Sequence, residues 1–249
     1  PSIFSSGINQ INILVGTIIA SFQVGAVSYL YYADRVYQIN LAIAGIAVST
    51  VSLPVLAKAI KNKSIKLITK IQNKSIELCL LLSLPAGIGL IFASNEIVNS
   101  LFGYGSFNEE NIKLTASALK YFGYGVPAFS LIKIMSNLFF ARDNTTTPFK
   151  ISFFVVIINI SISLIYFKEV GFLIIPIATS ISTWAGVLIY IFILNSKNYL
   201  VIEVNTYNNL IKITFATFVM TILLIFLLNF LSENFVYNSY IKILYLLLV

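Results

Sequence analysis

Residues 41–92 read LAIAGIAVSTVSLPVLAKAIKNKSIKLITKIQNKSIELCLLLSLPAGIGLIF. Two apolar runs, each close to the roughly 20 residues that cross a bilayer, flank a stretch carrying Lys58, Lys61, Lys63, Lys66, Lys70 and Lys74, with no acidic residue before Glu77. Lysine and arginine accumulate in the cytoplasmic loops of membrane proteins, so this order predicts two spans joined on the inner side. Between Ile60 and Ile71 the lysines alternate with Ile65, Leu67 and Ile68. That alternation predicts a short connecting helix lying in the membrane interface.

The pattern extends along the whole chain. At 58% hydrophobic, 10% charged and a mean hydropathy of +0.92 over 249 residues, there is more apolar surface than a soluble domain of this size could bury. The sequence therefore predicts an all-α polytopic membrane protein of about eight transmembrane helices, near 7–33, 37–58, 76–102, 111–141, 149–167, 171–195, 209–231 and 239–249. Asn108 before Glu109 and Glu110 marks a helix start, since acidic side chains suit the positive end of a helix, and Thr147 before Pro148 marks another. Alternating outward from the lysine-rich corner, the loops at 142–150 and 196–212 fall inside, and those at 94–110, 168–169 and 232–238 fall outside. The outer loops are acidic or near neutral, as the assignment requires.

Composition also excludes several chemistries. There is no histidine, which removes the commonest general base and the commonest metal ligand. The single cysteine, Cys79, sits in the apolar run IELCLLLSL, so neither a disulfide framework nor a thiolate metal cluster is expected. The net charge of +7 is concentrated in one juxtamembrane lysine run, which points to anionic lipid headgroups and not to nucleic acid. No cofactor and no metal are expected. The chain opens at Pro1 directly into a hydrophobic run and stops within another, which predicts a fragment of a longer protein.

Charges inside spans are costly, and each calls for a reason. The candidates are Asp34, Arg35, Lys120 and Lys133. Asp34 and Arg35 lie in YLYYADRVYQIN between two predicted spans, where an ion pair could pin a helix turn among interfacial tyrosines. Alternatively, Arg35 faces a cavity and grips an anionic group such as a pyrophosphate, with Asp34 orienting it. Lys133 sits two-thirds of the way along the fourth span in FSLIKIMSN. It needs a cavity, a partner or a route to the interface by snorkelling. Lys120 is nearer the outer end and is read as structural. Pro54, Pro85 with Gly87 and Gly89, Gly123 with Gly125 and Pro127, and Pro176 weaken helices inside spans, as the moving parts of transporters often require.

A string of landmarks then becomes legible: NQIN at the first helix, SYLYYADRVYQI, AIAGIAVSTVSLPVL, LPAGIGLI, LFGYGSF, GYGVPAF with LIKI, and FFARDNTTTPFKI. From Ile8 to Asn195 this ordered set resembles the MurJ/MviN lipid II flippases of the MOP exporter superfamily. The most specific pieces are YYADR before an apolar span ending in LP, and the segment holding Ala141, Arg142, Asp143, Thr147 and Pro148. The resemblance implies a fold of two six-helix lobes plus a final helix pair. Residues 1–195 would be the second lobe, and 196–249 the final pair, its last helix truncated.

It also implies a function: moving an undecaprenyl-pyrophosphate-linked cell-wall precursor across the bacterial cytoplasmic membrane, from inner to outer leaflet, by alternating access. Arg35 would be this half's cavity arginine, with Asp34 and Lys133 as further substrate-binding candidates. The partners would be that precursor, membrane lipids and the other lobe, which holds further cavity arginines and is absent from this sequence. The final pair would offer a groove for the lipid tail. Alternatives within the superfamily are a polysaccharide-lipid flippase and a multidrug antiporter, although a cation antiporter wants buried carboxylates and this half offers only Asp34. A lipid-phosphate transferase would need clustered carboxylates, and Glu109 with Glu110 lie in a predicted outer loop. A non-transporting scaffold would tolerate changes at Arg35 and Lys133.

Overall fold

The computed structural model describes residues 2–231, Lys242 and Leu246. Apart from these last two residues, the predicted loop at 232–238 and span at 239–249 lie outside the described residues. Nine α-helices follow in order among the described residues: α1 (Ser2–Ser21), α2 (Ala26–Leu41), α3 (Val48–Lys61), α4 (Ile65–Phe92), α5 (Ser94–Phe102), α6 (Glu109–Phe140), α7 (Thr146–Val170), α8 (Ile174–Ser196) and α9 (Val204–Leu231). A π-helical turn at Ala42–Ala47 joins α2 to α3 without a break, so residues 26–61 form one long rod. The segments 26–61, 65–92, 146–196 and 204–230 are long and apolar enough to cross a membrane. The molecule is a multi-pass membrane protein.

α6, 32 residues long, is the central post, with α2, α4 and α8 packed around it. Its crossing with α4 is close because both partners are glycine. A Cβ on Gly87 would lie 3.0 Å from the Gly123 carbonyl oxygen, and one on Gly123 would lie 3.1 Å from that of Gly87. Small residues at such crossings let backbones approach where lipid supplies no hydrophobic drive between helices. Two apolar clusters stabilise the two ends. One gathers Ile19, Leu90, Val98, Ile112, Leu119 and Phe172, and the other gathers Leu56, Ile76, Leu138, Phe139, Tyr190 and Leu194 at the lysine-rich end.

The turns differ between the ends. Away from the lysines, Gly25, Gly105 and Gly171 take positive φ of 77°, 59° and 69°. At the lysine-rich end the left-handed positions are Lys63, Asp143 and Asn198, with φ of 52°, 56° and 54°. Each closes its helix with the same pair of backbone bonds. After α3, Ser64 N–H donates to Ala59 C=O and Lys63 N–H to Ile60 C=O, at 3.1 and 2.9 Å. The equivalent pairs after α6 and α8 are Asn144 to Phe139 with Asp143 to Phe140, and Tyr199 to Leu194 with Asn198 to Asn195. This double closure satisfies the orphan carbonyls of a helix end.

Three expectations are corrected here. The break predicted between 33 and 37 falls at 22–25, where Gly25 adopts the left-handed conformation and Gln23 Oε1 accepts the Phe172 N–H at 2.9 Å, tying this corner to the α7–α8 corner. The interfacial helix predicted at 60–71 does not form as a separate element. Its residues complete α3 and open α4, because the chain reverses within Asn62–Ser64 once Lys63 turns left-handed. The span predicted at 76–102 is divided at Ala93 into α4 and α5. The start predicted at Asn108 is observed, its side chain accepting the Asn111 N–H at 2.9 Å.

Candidate functional site

The relocated break puts Asp34 and Arg35 inside α2, Arg35 roughly 14 Å from the helix start at about 1.5 Å per residue. Asp34 is half-buried and engaged by its own helix: Gln38 Nε2 donates to its carboxylate, and Tyr37 hydrogen-bonds to it as well. Arg35 is exposed on this half of the fold. Its guanidinium carbon stands 4.7 Å from the centre of the Tyr31 ring, and among the described residues it has no carboxylate within ion-pair distance. The two neighbours thus do not form the pair that would merely pin a turn. Asp34 holds its local helix, and Arg35 presents a charge outward.

Lys133 is half-buried on α6 and lines a partly open cavity of about 470 Å³ bordered by α1, α2, α3, α6, α7 and α8. The cavity wall is polar for a membrane interior, with Asn12, Ser49, Ser136, Asn137, Ser152, Asn159, Thr179, Ser182 and Thr183 among its residues. Much of this polarity is used in fixing the wall itself. Asn137 Nδ2 donates to Ser49 C=O at 2.7 Å and to Ser52 Oγ at 3.2 Å, joining α6 to α3. Asn159 Nδ2 donates to Thr179 Oγ1 at 3.0 Å, joining α7 to α8. Tyr37 closes one side, stacked on Phe122 with centroids 4.6 Å apart and tilted on Phe129 at 5.4 Å.

Arg35 does not line this cavity, whereas Tyr37, bonded to Asp34, does. Lys133 is level with Ser49, whose hydroxyl donates to the Lys133 carbonyl at 3.3 Å. Along the α2–α3 rod Ser49 lies roughly 20 Å from Arg35 toward the lysine-rich end. The structure therefore brings Asp34 and Arg35 together and sets Lys133 apart as a second, deeper charge. Sequence reasoning missed the cavity's hydroxyl and amide lining, because isolated Ser, Thr and Asn residues in apolar runs carry no periodic signal until the helices are packed. Lys120 is exposed and does not line the cavity.

A second cavity, of about 510 Å³, runs between the α4–α5 junction and α9. Gly89, Ala93, Ile97, Leu224, Leu227 and Leu246 line it, and among the described residues no polar side chain contributes. Among the described residues, no group of three or more carboxylate, thiol or imidazole side chains is placed to hold a metal ion.

The family described as Lipid II flippase MurJ matches residues 1–246. A probable lipid II flippase MurJ of Rickettsia prowazekii is 41% identical over 184 residues, covering 74% of this chain and 36% of that protein. The corresponding protein of Rhizobium tropici is 38% identical over 203 residues, 82% of this chain and 38% of its own. Among solved structures, a lipid II flippase MurJ in an inward closed conformation superposes with a TM-score of 0.82 at 26% identity, over 98% of this chain and 49% of that one. An outward-facing MATE multidrug transporter of the MOP superfamily shares the fold, with a TM-score of 0.68 at 15% identity over 90% of this chain and 52% of its own. The chain spans well under two-thirds of the length of these relatives.

Proposed function

Since the chain belongs to the lipid II flippase MurJ family, we propose that it supplies half of a machine that moves a lipid-linked peptidoglycan precursor from the inner to the outer leaflet of a bacterial cytoplasmic membrane. The observation that carries this reading is Arg35, an exposed guanidinium well inside a spanning helix and without a carboxylate partner among the described residues. Such a charge is expensive facing hydrocarbon. It becomes useful where a second lobe closes over it and a pyrophosphate enters the space between, since a guanidinium grips phosphate oxygens in bidentate fashion.

Three features give this half the parts that flipping needs. The Tyr31 ring supports the Arg35 guanidinium by cation–π contact, leaving its N–H groups free to turn toward a headgroup. Asp34, held by Gln38 and Tyr37, makes the local helix rigid without neutralising its neighbour. The apolar cavity beside α9 suits a polyprenyl tail, which must stay in a hydrocarbon-like environment while the headgroup crosses. Lys133, deeper toward the lysine-rich and cytoplasmic end, lies on the polar route by which a headgroup would approach Arg35. Rocking of two lobes about this site would expose it to each leaflet in turn.

Growth of bacteria depleted of their own lipid II flippase tests this directly. The full-length protein carrying this sequence is expected to restore growth, and Arg35→Ala is expected to fail at equal membrane level. Equal rescue by both proteins would show that Arg35 does not hold the headgroup.

A further inference from the structure

Lys242 falls within the span predicted at 239–249, and it is fully buried. A buried ammonium needs acceptors close at hand, and the C-terminal end of α5 supplies them. Lys242 Nζ donates to Asn99 Oδ1 at 2.9 Å and to Gly103 C=O at 2.8 Å, and it stands 4.0 Å from the centre of the Tyr104 ring. The last carbonyls of a helix carry partial negative charge, so the ammonium also complements the end of α5. Ser100 Oγ donates to the Lys242 carbonyl at 3.4 Å, and the Tyr104 hydroxyl donates to Ser100 C=O at 3.0 Å, which fixes the ring. Gly103 makes the room: a Cβ there would overlap Asn99 and stand 2.9 Å from the ammonium. The end of α5 and the start of the LFGYGSF segment thus form a socket for this lysine.

The socket adjoins the apolar cavity beside α9. Ile97, two residues before Asn99, lines that cavity, and so does Leu246, four residues beyond Lys242. Gly89 lines it too, with no atom within 4 Å of the place its Cβ would take. On the α9 side, Leu224 and Leu228 pack on Ala93 through apolar contacts. Lipid tails compete for such apolar faces, so packing alone fixes a membrane helix weakly, and polar contacts between helices act as the glue. The Lys242 socket is a polar contact of this kind at the edge of the cavity.

We propose that Lys242 is a positioning residue: seated in the α5 socket, it latches Leu246 in place as a wall of the apolar cavity and so sets the space that takes a polyprenyl tail. The role rests on the reading of that cavity as the tail's site given above, whereas the latch rests on the socket geometry.

The test uses purified full-length protein carrying this sequence, with undecaprenyl phosphate and farnesyl phosphate as probes in one detergent. The probes share a headgroup, so the ratio of their affinities isolates the tail, and partitioning cancels between variants. The parent is expected to prefer the long tail. Lys242→Met is expected to lower that preference roughly tenfold, the scale of one interhelical polar contact. Gly103→Ala, which crowds the ammonium out of its socket, is expected to act in the same direction, and it carries the test if Lys242→Met does not fold. Asn99→Asp, which still accepts from the ammonium, is expected to keep the preference. Arg35→Ala is expected to weaken both probes alike and leave the ratio unchanged, whereas Gly89→Leu, which fills the cavity with the socket intact, is expected to lower it. A merely structural Lys242 would lower the melting temperature and both affinities together without moving the ratio, which would overturn the proposal. A ratio that falls in Gly89→Leu but holds in Lys242→Met and Gly103→Ala would overturn the latch and keep the tail site. No preference in the parent, or one unmoved in all three, would overturn both.

Discussion

Arg35 and Asp34 are sequence neighbours with opposite tasks. Successive residues on a helix point about 100° apart, so Asp34 can face Tyr37 and Gln38 while Arg35 turns outward over Tyr31. If Arg35 grips phosphate as proposed, charge alone at position 35 is insufficient. Arg35→Lys, which keeps the charge but loses the planar fork, is expected to support slower growth than the parent, and Asp34→Asn slower growth than the parent but faster than Arg35→Ala; growth rates at matched expression check both. At the lysine-rich end, Lys63 carries the cost of a left-handed backbone that glycine avoids, about 1–2 kcal/mol. Lys63→Gly is expected to recover about 1 kcal/mol, visible as a higher melting temperature.

Helix crossings and helix ends decide how far the fold could be read in advance. Gly123 stands where α4 and α6 nearly touch. Gly123→Leu is expected to force the two helices apart and cost about 1–3 kcal/mol, measured as a lower melting temperature with reduced membrane yield. The Asn108 cap was legible from residue type, whereas Gly87 and Gly123 read as helix-weakening and their role in bringing two backbones together emerges only from packing. The membrane class was legible as well, because repeated apolar runs of bilayer length expose more hydrocarbon than water tolerates. The ends of α3, α6 and α8 were not, since Lys63, Asp143 and Asn198 perform the left-handed closure in place of the expected glycine. The α1–α2 break was missed for a different reason. Tyr29, Tyr31, Tyr32, Asp34 and Arg35 look like an interface, whereas the turn is set ten residues earlier by Gly25 and by the bond between Gln23 and Phe172. The site was half legible: Arg35 and Lys133 stand out as charges in apolar runs, but their separation along the rod depends on packing.

Across the whole molecule, the final described helix and the linker before it are fastened to α4. Gln72 and Asn73 on α4 both donate to the Val201 carbonyl, at 2.9 and 2.8 Å, and Thr206 donates to Glu77 at 2.6 Å. Arg142 stacks on Tyr199 at 4.1 Å beside this clamp. Asn73→Leu would leave the Glu203 N–H without its acceptor and remove one donor to Val201, a loss of about 1–3 kcal/mol for buried groups. Faster cleavage of the 197–203 linker in limited proteolysis is the expected sign. The clamp fixes α9 against α4, the two helices that border the apolar cavity.

The central claim is that Arg35 holds the precursor's headgroup during crossing. In spheroplasts of cells that depend on the full-length protein, the fraction of lipid II exposed to an externally added degrading enzyme reports flipping directly. The account predicts normal exposure with the parent protein and an accumulation of protected, inner-leaflet lipid II with Arg35→Ala at equal membrane abundance. Equal exposure in the two strains would contradict it.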